Sequence, residues 1–377
     1  MNSINRRTAS PATARSARSF RTGCAVSLLA LSALLPLPGA AQTAVTIGAG
    51  KDPNLAAQIV IARDKGFFKE AGLDAEVKFF PSAGDLMTAV VGGSVPIGTS
   101  GATPTTTLRS RPFPIRILSQ ISDISGAQQI IVKQSLKSLD ELHGKKIAIM
   151  RGTASESLFN SFVKAYGFDA SKVELVNMAP AEMLASFSRG TVDAISVWEP
   201  NTTRARRIAN GKLLVSGTKS MIPGKEGERR IYGDHSVVFA TDAFIKEQPN
   251  TVKAVIAALL KANEFISSNK SEATQILAKE FGLEPAEMTD VMASNNYTLA
   301  INDEMVRDLD QVADFLFGLK RIQSQPKARE WIEPDLLRAV RVLSWCKSSN
   351  PAQRLSAAAR EWVAAPRAPG NENSFPS

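Results

Sequence analysis

Small hydroxylated residues beside glycine form two clusters in this sequence. Ser100 and Gly101 form the first, and Gly152, Thr153 and Ser155 form the second. Hydroxyl and backbone NH donors beside a glycine can converge on an oxyanion with no side chain in the way. We therefore predict that Ser100, Gly101, Thr153 and Ser155 contact an anionic ligand, although a helix N-cap explains Thr153 equally well. No Gly-x-x-x-x-Gly-Lys pattern accompanies the clusters, which argues against a nucleotide-binding loop.

Further candidates follow predicted strands, where open α/β sheets gather their ligands and helix N-termini present free NH groups. They are Lys51, Asp52, Ser82, Thr103, Gly152, Ala154, Trp198 and Glu199. Trp198 could stack on the carbon skeleton of a ligand or pack beside a hinge. Glu199 could pair with a ligand ammonium group or form a salt bridge to Arg204 or Lys51. For Asp52, a role as an N-cap is the simpler interpretation.

Two histidines, His143 and His235, are present. His235 precedes a predicted strand and could donate to a bound anion, but a packed residue at a strand edge is the simpler interpretation. Neither histidine has Cys, Asp or Glu partners at metal-ligand spacing, so we predict no metal site and no cofactor. No Gly-x-Ser-x-Gly or other nucleophile arrangement occurs, which favours a binding protein over an enzyme.

Short β-rich runs alternate with helix-period segments, and Gly, Pro or a capping residue marks nearly every switch, which is typical of an α/β fold. The predicted strands are residues 44–49, 75–80, 95–99, 115–119, 129–133, 146–150, 173–177, 192–197 and 236–240. The predicted helices are residues 53–65, 82–92, 139–142, 153–166, 181–188, 249–267, 271–281, 285–295 and 303–319.

No long linker divides the chain, although its length suggests about two domains. If the strands at 129–133 and 236–240 both cross between lobes, two crossings form a hinge and a cleft lies between the lobes. The sequence then predicts a discontinuous first lobe, residues 42–134 and 235–345, and a second lobe, residues 135–234. Residues 346–377 form a tail rich in Ala, Pro, Arg and Asn, which we expect to be poorly ordered.

The N-terminus has the composition of an export signal. Five arginines precede an apolar run at about residues 25–37, and the first 41 residues contain no acid. We predict cleavage after Ala41, by the general secretory route rather than the twin-arginine route. Without the five arginines the formal charge of +9 becomes +4, with 40 basic against 36 acidic residues. Nucleic-acid binding then has no compositional support.

Three groups of motifs resemble the nitrate, sulfonate and taurine family of ABC-transporter solute-binding proteins. The first runs from Asp64-Lys65-Gly66-Phe67-Phe68-Lys69-Glu70-Ala71-Gly72-Leu73 to Gly92-Gly93-Ser94-Val95-Pro96-Ile97-Gly98. The second is Gly144-Lys145-Lys146-Ile147-Ala148 with Gly152-Thr153, and the third is Val192-Asp193-Ala194 followed by Val197-Trp198-Glu199-Pro200. The similarity covers roughly residues 45–320.

The resemblance implies a type II periplasmic binding fold, closure of two lobes on a small anion, and delivery of that anion to an ABC permease. We expect an exported, periplasmic monomer that binds an organic sulfonate or a carboxylate. Two alternatives stay open: a ligand sensor for a signalling partner, and a receptor for a pyrimidine precursor. Thiamine-precursor synthases share the fold by resemblance but use a cysteine-rich iron-binding segment, whereas Cys346 is the one cysteine beyond residue 41.

Overall fold

The computed structural model describes residues 42–111 and 113–347. The predicted export signal, residues 1–41, lies outside the described residues, as does the tail beyond residue 347. The described strands are β1 (Thr43–Gly50), β2 (Leu73–Phe80), β3 (Ile97–Gly101), β4 (Ile115–Asp123), β5 (Gln128–Lys133), β6 (Lys146–Ile149), β7 (Glu174–Asn177), β8 (Ala194–Trp198), β9 (Gly211–Ser216), β10 (Lys219–Ser220), β11 (Gly227–Glu228), β12 (His235–Thr241) and β13 (Asn296–Ala300).

The described α-helices belong to both halves of the alternation and to a helical C-terminal third. They are α1 (Pro53–Asp64), α2 (Phe67–Glu70), α3 (Ala83–Val91), α4 (Ala102–Arg109), α5 (Ala154–Tyr166), α6 (Pro180–Arg189), α7 (Asn201–Ile208), α8 (Asp242–Glu247), α9 (Pro249–Ser268), α10 (Lys270–Phe281), α11 (Pro285–Ala293), α12 (Asp303–Gly318), α13 (Ala328–Trp331) and α14 (Pro334–Lys347). The segment predicted as a helix at 139–142 is a 3₁₀ turn, Asp140–Leu142.

Two mixed sheets organise these elements. The first has the strand order β13-β4-β12-β3-β1-β2, with β1 parallel to β2 and β3 and with β12 antiparallel to β3 and β4. The second has the order β11-β10-β9-β5-β8-β6-β7, with β6 parallel to β7 and β8. The predicted α/β class with two lobes is confirmed, each lobe being built on one sheet.

The chain passes between the two sheets twice, but not within the strands predicted to cross. β5 pairs with β8 and β9 along its length and lies wholly in the second sheet. β12 pairs with β3 and β4 and lies wholly in the first. The crossings therefore occupy the short segments before each strand, residues 124–127 and 229–234, which places residues 128–134 in the second sheet. A regular strand cannot pair fully within one sheet and also bridge two.

Local sequence explains where the helices that flank the cleft begin. The Asp52 carboxylate accepts from the Asn54 backbone NH at 2.8 Å, and Pro53 occupies the first helical position of α1. Ser82 accepts from the Asp85 NH at 3.1 Å at the start of α3, as its capping pattern predicts. Thr153 caps α5 in the same manner.

Helices cover both faces of each sheet. One face of the first sheet packs against α1, α9, α10 and α14, and the other packs against α3, α4, α12 and α13. In the second lobe α5 covers one face, and α6 with α7 covers the other. Within the described residues no helix is both long and apolar enough to span a bilayer. Each lobe thus has cores of its own, and the space between the lobes is available for a ligand.

The aromatic core of the second lobe gives a test of this packing. The Phe162 ring is fully buried and lies within 6.1 Å of the rings of Phe159, Tyr166 and Phe168, measured between centroids. Because Phe162→Ala leaves a cavity among these rings, we expect the free energy of unfolding to fall by about 3–5 kcal/mol in urea denaturation followed by circular dichroism. Phe317→Ala is the control, because Phe317 is 45% exposed; equal losses in both variants would contradict the packing.

Candidate ligand-binding cleft

A cleft of about 910 Å³ separates the two sheets, and both lobes line it. The first lobe contributes the ends of β1, β2 and β3 together with one face each of α3 and α4. The second lobe contributes Met150, Trp198, Pro180 and the segment that opens α5. The cleft volume is in the range of about 300–1,000 Å³ that is typical of small-molecule sites.

Nine of the thirteen predicted site residues line this cleft. They are Lys51, Asp52, Ser82, Gly101, Thr103, Gly152, Thr153, Ala154 and Trp198. The other four, Ser100, Ser155, Glu199 and His235, are absent from its lining and are at most 2% exposed. Their burial has a separate physical cause in each case.

Ser155 and Ser100 point away from the cleft. The Ser155 hydroxyl donates to the Ser196 carbonyl at 2.5 Å and accepts from the Met150 NH at 2.9 Å, so it ties α5 to the second sheet. Ser100 is the penultimate residue of β3 and pairs with Val237 of β12, and its hydroxyl is buried without a hydrogen-bond partner. Because side chains alternate along a strand, Gly101 reaches the cleft and Ser100 does not.

Glu199 is an internal anchor of the second lobe. Its carboxylate accepts from the backbone NH and the hydroxyl of Thr203, both at 3.0 Å, and from Arg206 at 3.1 Å. The predicted salt-bridge partners, Arg204 and Lys51, are therefore replaced by Arg206. The Glu199 carbonyl accepts from the Asn54 amide at 2.9 Å, which links the two lobes beside the cleft.

His235 also has a structural partner. Its Nε2 lies 2.8 Å from Asp308 Oδ2, and the same oxygen accepts from Arg230 at 2.6 Å. Arg230 further contacts Asp123 at 3.0 Å and Glu304 at 2.8 Å. This charged cluster lies where the two crossing segments meet α12. His235 therefore holds the second crossing segment against α12 and does not face the cleft.

The N-terminus of α4 opens into the cleft. Gly101 precedes the helix without a side-chain cap, and the free NH groups of a first helical turn favour an anion. Thr103 lies in this turn and is 7% exposed. Its hydroxyl is buried beside the Tyr232 phenol and has no hydrogen bond of good geometry. Gln128 faces the cleft from β5 with its Oε1 buried and likewise unpartnered. Buried polar groups normally have partners, so these two side chains indicate a polar ligand.

The N-terminus of α5 lies on the opposite wall. The Thr153 hydroxyl donates to the Met150 carbonyl at 2.7 Å and accepts from the Ser155 NH at 3.3 Å, so the helix-capping interpretation is confirmed for its side chain. The Glu156 carboxylate accepts from the Gly152 NH at 2.7 Å. Because the Gly152 NH is engaged by Glu156, the groups that the second lobe can offer a ligand here are the backbone NH groups of Thr153 and Ala154 rather than free hydroxyls.

Asp52 and Trp198 meet across the cleft. Desolvation of the Asp52 carboxyl raises its pKa to about 6, against the lowering effect of hydrogen bonds from Asn54 and from the Trp198 side chain. Asp52 keeps its predicted N-cap role in α1, and its second partner belongs to the other lobe. Trp198 thus contributes a polar contact besides its apolar face.

Asp234 is a cleft residue that the sequence did not reveal. It lies in the second crossing segment and is 3% exposed, and burial raises the pKa of its carboxyl to about 7. The His235 side chain and backbone NH lower this pKa, whereas the nearby Asp123 and Asp308 carboxylates raise it further. At Asp123 burial opposes ionisation, but hydrogen bonds from Ser125 and the charges of His235 and Arg230 hold the pKa below its usual value.

Sequence reasoning also missed the two helix faces that widen the cleft in the first lobe. Met87, Thr88 and Val91 lie on α3, and Thr107 and Leu108 lie on α4. Their spacing of three or four residues was the available signal, but such spacing also describes an ordinary helix packed on a core. Among the described residues, no group of three or more His, Cys, Asp or Glu side chains could hold a metal ion.

The fold and the cleft define a solute-binding protein with two lobes. The model of the family described as "NMT1/THI5 like" matches residues 53–273, more than half of the chain, and the chain belongs to this family. The taurine-binding periplasmic protein of Escherichia coli is 25% identical over 244 residues, which are 63% of this chain and 73% of that protein.

Solved structures agree at the level of the fold. The periplasmic aliphatic sulphonate binding protein SsuA from Escherichia coli superposes with a TM-score of 0.67 at 20% identity, over 77% of this chain and 97% of that one. The desulfurization enzyme DSZB, in complex with biphenyl-2-sulfinic acid, gives a TM-score of 0.61 at 16% identity, over 79% of this chain and 99% of that one. The fold therefore supports both binding proteins and an enzyme, and the site has to distinguish them.

Asp234 predicts a pH dependence of stability. Because its pKa is raised from 3.8 to about 7 on folding, the unfolded chain releases the proton first as pH rises. As the pH rises from about 4 to about 7, the Asp234 carboxyl therefore lowers the free energy of unfolding. Above about pH 7 its contribution stays constant. Asp234→Asn should make the apo protein more stable than the parent at pH 8, by at most roughly 4 kcal/mol, and equally stable near pH 4.

Urea denaturation at pH 4 to 8 measures this difference. Asn can still accept the hydrogen bond that the His235 NH donates to Asp234 Oδ1 at 2.9 Å. Asp335→Asn is the control, because Asp335 has a side chain that is 74% exposed. A difference between Asp234→Asn and the parent that does not change with pH would contradict the raised pKa.

Proposed function

We propose that this chain is the exported receptor of an ABC importer and binds a small organic anion, a sulfonate or a carboxylate, between its lobes. The observation that carries the proposal is the pair of helix N-termini, α4 and α5, that open into one cleft from opposite lobes. Helix N-termini attract anions through free NH groups and the helix dipole. The family match and the taurine-binding relative support the same class of ligand.

The donors at the α4 end suit an anion that also carries a carbon skeleton. The Thr103 hydroxyl has unused hydrogen-bonding capacity, and Lys51 adds a positive charge at the rim. The unpartnered Gln128 Oε1 is an acceptor and would instead suit a donor on the ligand. Leu55, Phe80 and Trp198 supply apolar surface in the same space. A bare inorganic anion would leave that apolar surface uncovered, so the lining favours an organic ligand.

Binding without chemistry is the function that the described site supports best. The side chains of the predicted contacts Ser155 and Glu199 are engaged by other protein groups, and Thr153 caps its helix. The Ser82 hydroxyl, in the cleft lining, donates to the Asp85 carboxylate at 2.7 Å. The same oxygen accepts from the Asp85 NH as the cap of α3, so this pair has a structural role rather than that of an activated nucleophile. We propose a periplasmic monomer that closes on its ligand and delivers it to the transmembrane subunits of the importer.

A thermal-shift screen followed by calorimetry tests the function. Protein purified from the periplasmic fraction would be tested with taurine, alkyl and aryl sulfonates, nitrate and aromatic carboxylates. A ligand present at 100 times its Kd stabilises the native state by about 2.7 kcal/mol, which raises the Tm by roughly 2–4 °C per kcal/mol. Failure of every sulfonate and carboxylate to raise the Tm would contradict the proposal.

Thr103→Val tests the anion site. Replacing the hydroxyl by a methyl group removes a donor to a charged ligand, so we expect calorimetric affinity for the best hit to fall about 10- to 100-fold. The Tm of the ligand-free protein should hold or rise, since the buried hydroxyl has no partner to lose. If Thr103 had only a structural role, Thr103→Val would lower the Tm of the ligand-free protein and leave the affinity unchanged.

Thr106→Val is the matched control. Thr106 lies on the same helix, is fully buried and also has an unpartnered hydroxyl, but it does not line the cleft. This variant should change neither affinity nor Tm appreciably. Equal affinity losses in both variants would assign the effect to α4 as a whole and contradict a specific role for Thr103.

A further inference from the structure

Asp234 brings a buried carboxyl from the second crossing segment to the cleft. It lines the cleft and is 3% exposed. Its backbone NH donates to Ser125 Oγ at 2.9 Å, and its carbonyl accepts from the Ile124 NH at 2.9 Å, so the first crossing segment holds it on two sides. The backbone that carries this carboxyl is therefore fixed at the junction of the two lobes.

The Asp234 carboxyl lies close to the N-terminal turns of both cleft helices. The buried Tyr232 phenol interacts with the Asp234 carboxylate. The same phenol interacts with the Thr103 hydroxyl on α4 and with the Ser157 hydroxyl on α5. Burial and the Asp234 charge hold the pKa of the phenol well above its usual value, so Tyr232 keeps its proton. An anion held at the α4 N-terminus would therefore be a near neighbour of Asp234.

The charges around Asp234 oppose its ionisation. Asp123 on β4 and Asp308 on α12 both raise the pKa of the Asp234 carboxyl, and His235 lowers it through its side chain and its backbone NH. The Arg230 guanidinium pairs with Asp123 and Asp308 instead. Because the Asp234 carboxyl is desolvated beside two carboxylates, an anion placed next to it in the cleft would favour its neutral form further.

We propose that Asp234 is a ligand-contacting residue that meets the bound anion as a neutral carboxylic acid and donates a hydrogen bond to it. The inference rests on the function proposed above and specifies the charge state of the same site. Asp234 Oδ1 accepts from the His235 NH at 2.9 Å, which leaves Oδ2 to carry the proton. Binding then moves one proton from solvent to Asp234 wherever the free protein holds this carboxyl ionised.

Proton uptake makes ligand affinity depend on pH. In the free protein burial raises the pKa of the Asp234 carboxyl to about 7. Above that pH an incoming anion meets a carboxylate that has to be protonated first. The Kd should therefore rise by up to about tenfold per pH unit between pH 7 and 9. The other ionisable side chains that line the described cleft are Lys51, Asp52 and Arg111.

Calorimetry in two buffers counts the protons. Ethanesulfonate and benzoate are the probes, because neither anion titrates between pH 7 and 9. Purified protein would be titrated at pH 8 in Tris and in triethanolamine, which are cationic buffers with different ionisation enthalpies. Sulfonate and phosphate buffers are avoided because they can compete for the cleft. From the difference in binding enthalpy we expect uptake of up to about 0.9 proton per ligand at this pH.

Asp234→Asn supplies the variant test. The amide is uncharged and can donate a hydrogen bond, so the variant should bind the probe without proton uptake and with a Kd that stays constant from pH 7 to 9. At pH 9 it should bind at least about tenfold more tightly than the parent. Asp335→Asn is the control and should keep the uptake of the parent, because the Asp335 side chain is 74% exposed.

The outcomes separate this inference from the receptor function. Binding by the parent protein with no proton uptake and with a constant Kd would overturn the role of Asp234 and leave the receptor function intact. Uptake that persists in Asp234→Asn and disappears in Asp52→Asn would assign the proton to Asp52 and overturn it as well. Binding of neither probe at any pH would overturn both proposals.

Discussion

The ion pairs of Arg230 hold together the region in which the chain crosses between the two lobes. Its guanidinium contacts Asp123 at the end of β4 and Asp308 and Glu304 on α12, while Arg230 itself lies in the returning segment between the lobes. The Arg230 guanidinium thus links the second crossing segment to the start of the first crossing segment and to α12. His235 shares the Asp308 oxygen with it. Of this network only His235 and Asp308 are buried, so loss of either would leave the other without its partner in a desolvated place.

Close backbone packing reinforces that junction. A Cβ atom at Gly233 would stand 2.1 Å from Asp308 Cγ, and one at Gly217 would stand 2.5 Å from the Ser125 carbonyl oxygen. Glycine is therefore required there for space rather than for an unusual φ angle. Outside the crossings, α7 contacts α11 through Arg204 and Glu287 at 2.5 Å and Arg207 and Asp290 at 2.7 Å. The lobes are thus joined by these ion pairs as well as by the crossing segments.

The sequence predicted the alternation of strands and helices because the signals that begin a helix act over only a few residues. Asp52-Pro53, Ser82 and Thr153 each stand at the start of a helix and cap it with a side chain. It also predicted which loops reach the cleft. It failed at Ser155, whose hydroxyl binds Ser196 in a distant strand, and at Glu199, whose carboxylate binds Thr203 and Arg206 of the following helix. It also failed at Ser100, which is buried within the first sheet. Asp234 and the cleft-lining faces of α3 and α4 were missed because only tertiary packing shows which face of an element is left uncovered.

The faces of α3 and α4 that line the cleft lie entirely in the first lobe. A ligand that binds between the lobes would meet these faces before the second lobe moved toward it, since the second lobe supplies no part of them. Under the proposed function, the first lobe would govern how long an encounter lasts, and the second lobe would govern whether the encounter becomes a closed state. Substitutions on α3 and α4 would then change the first step, and substitutions beside Trp198 would change the second.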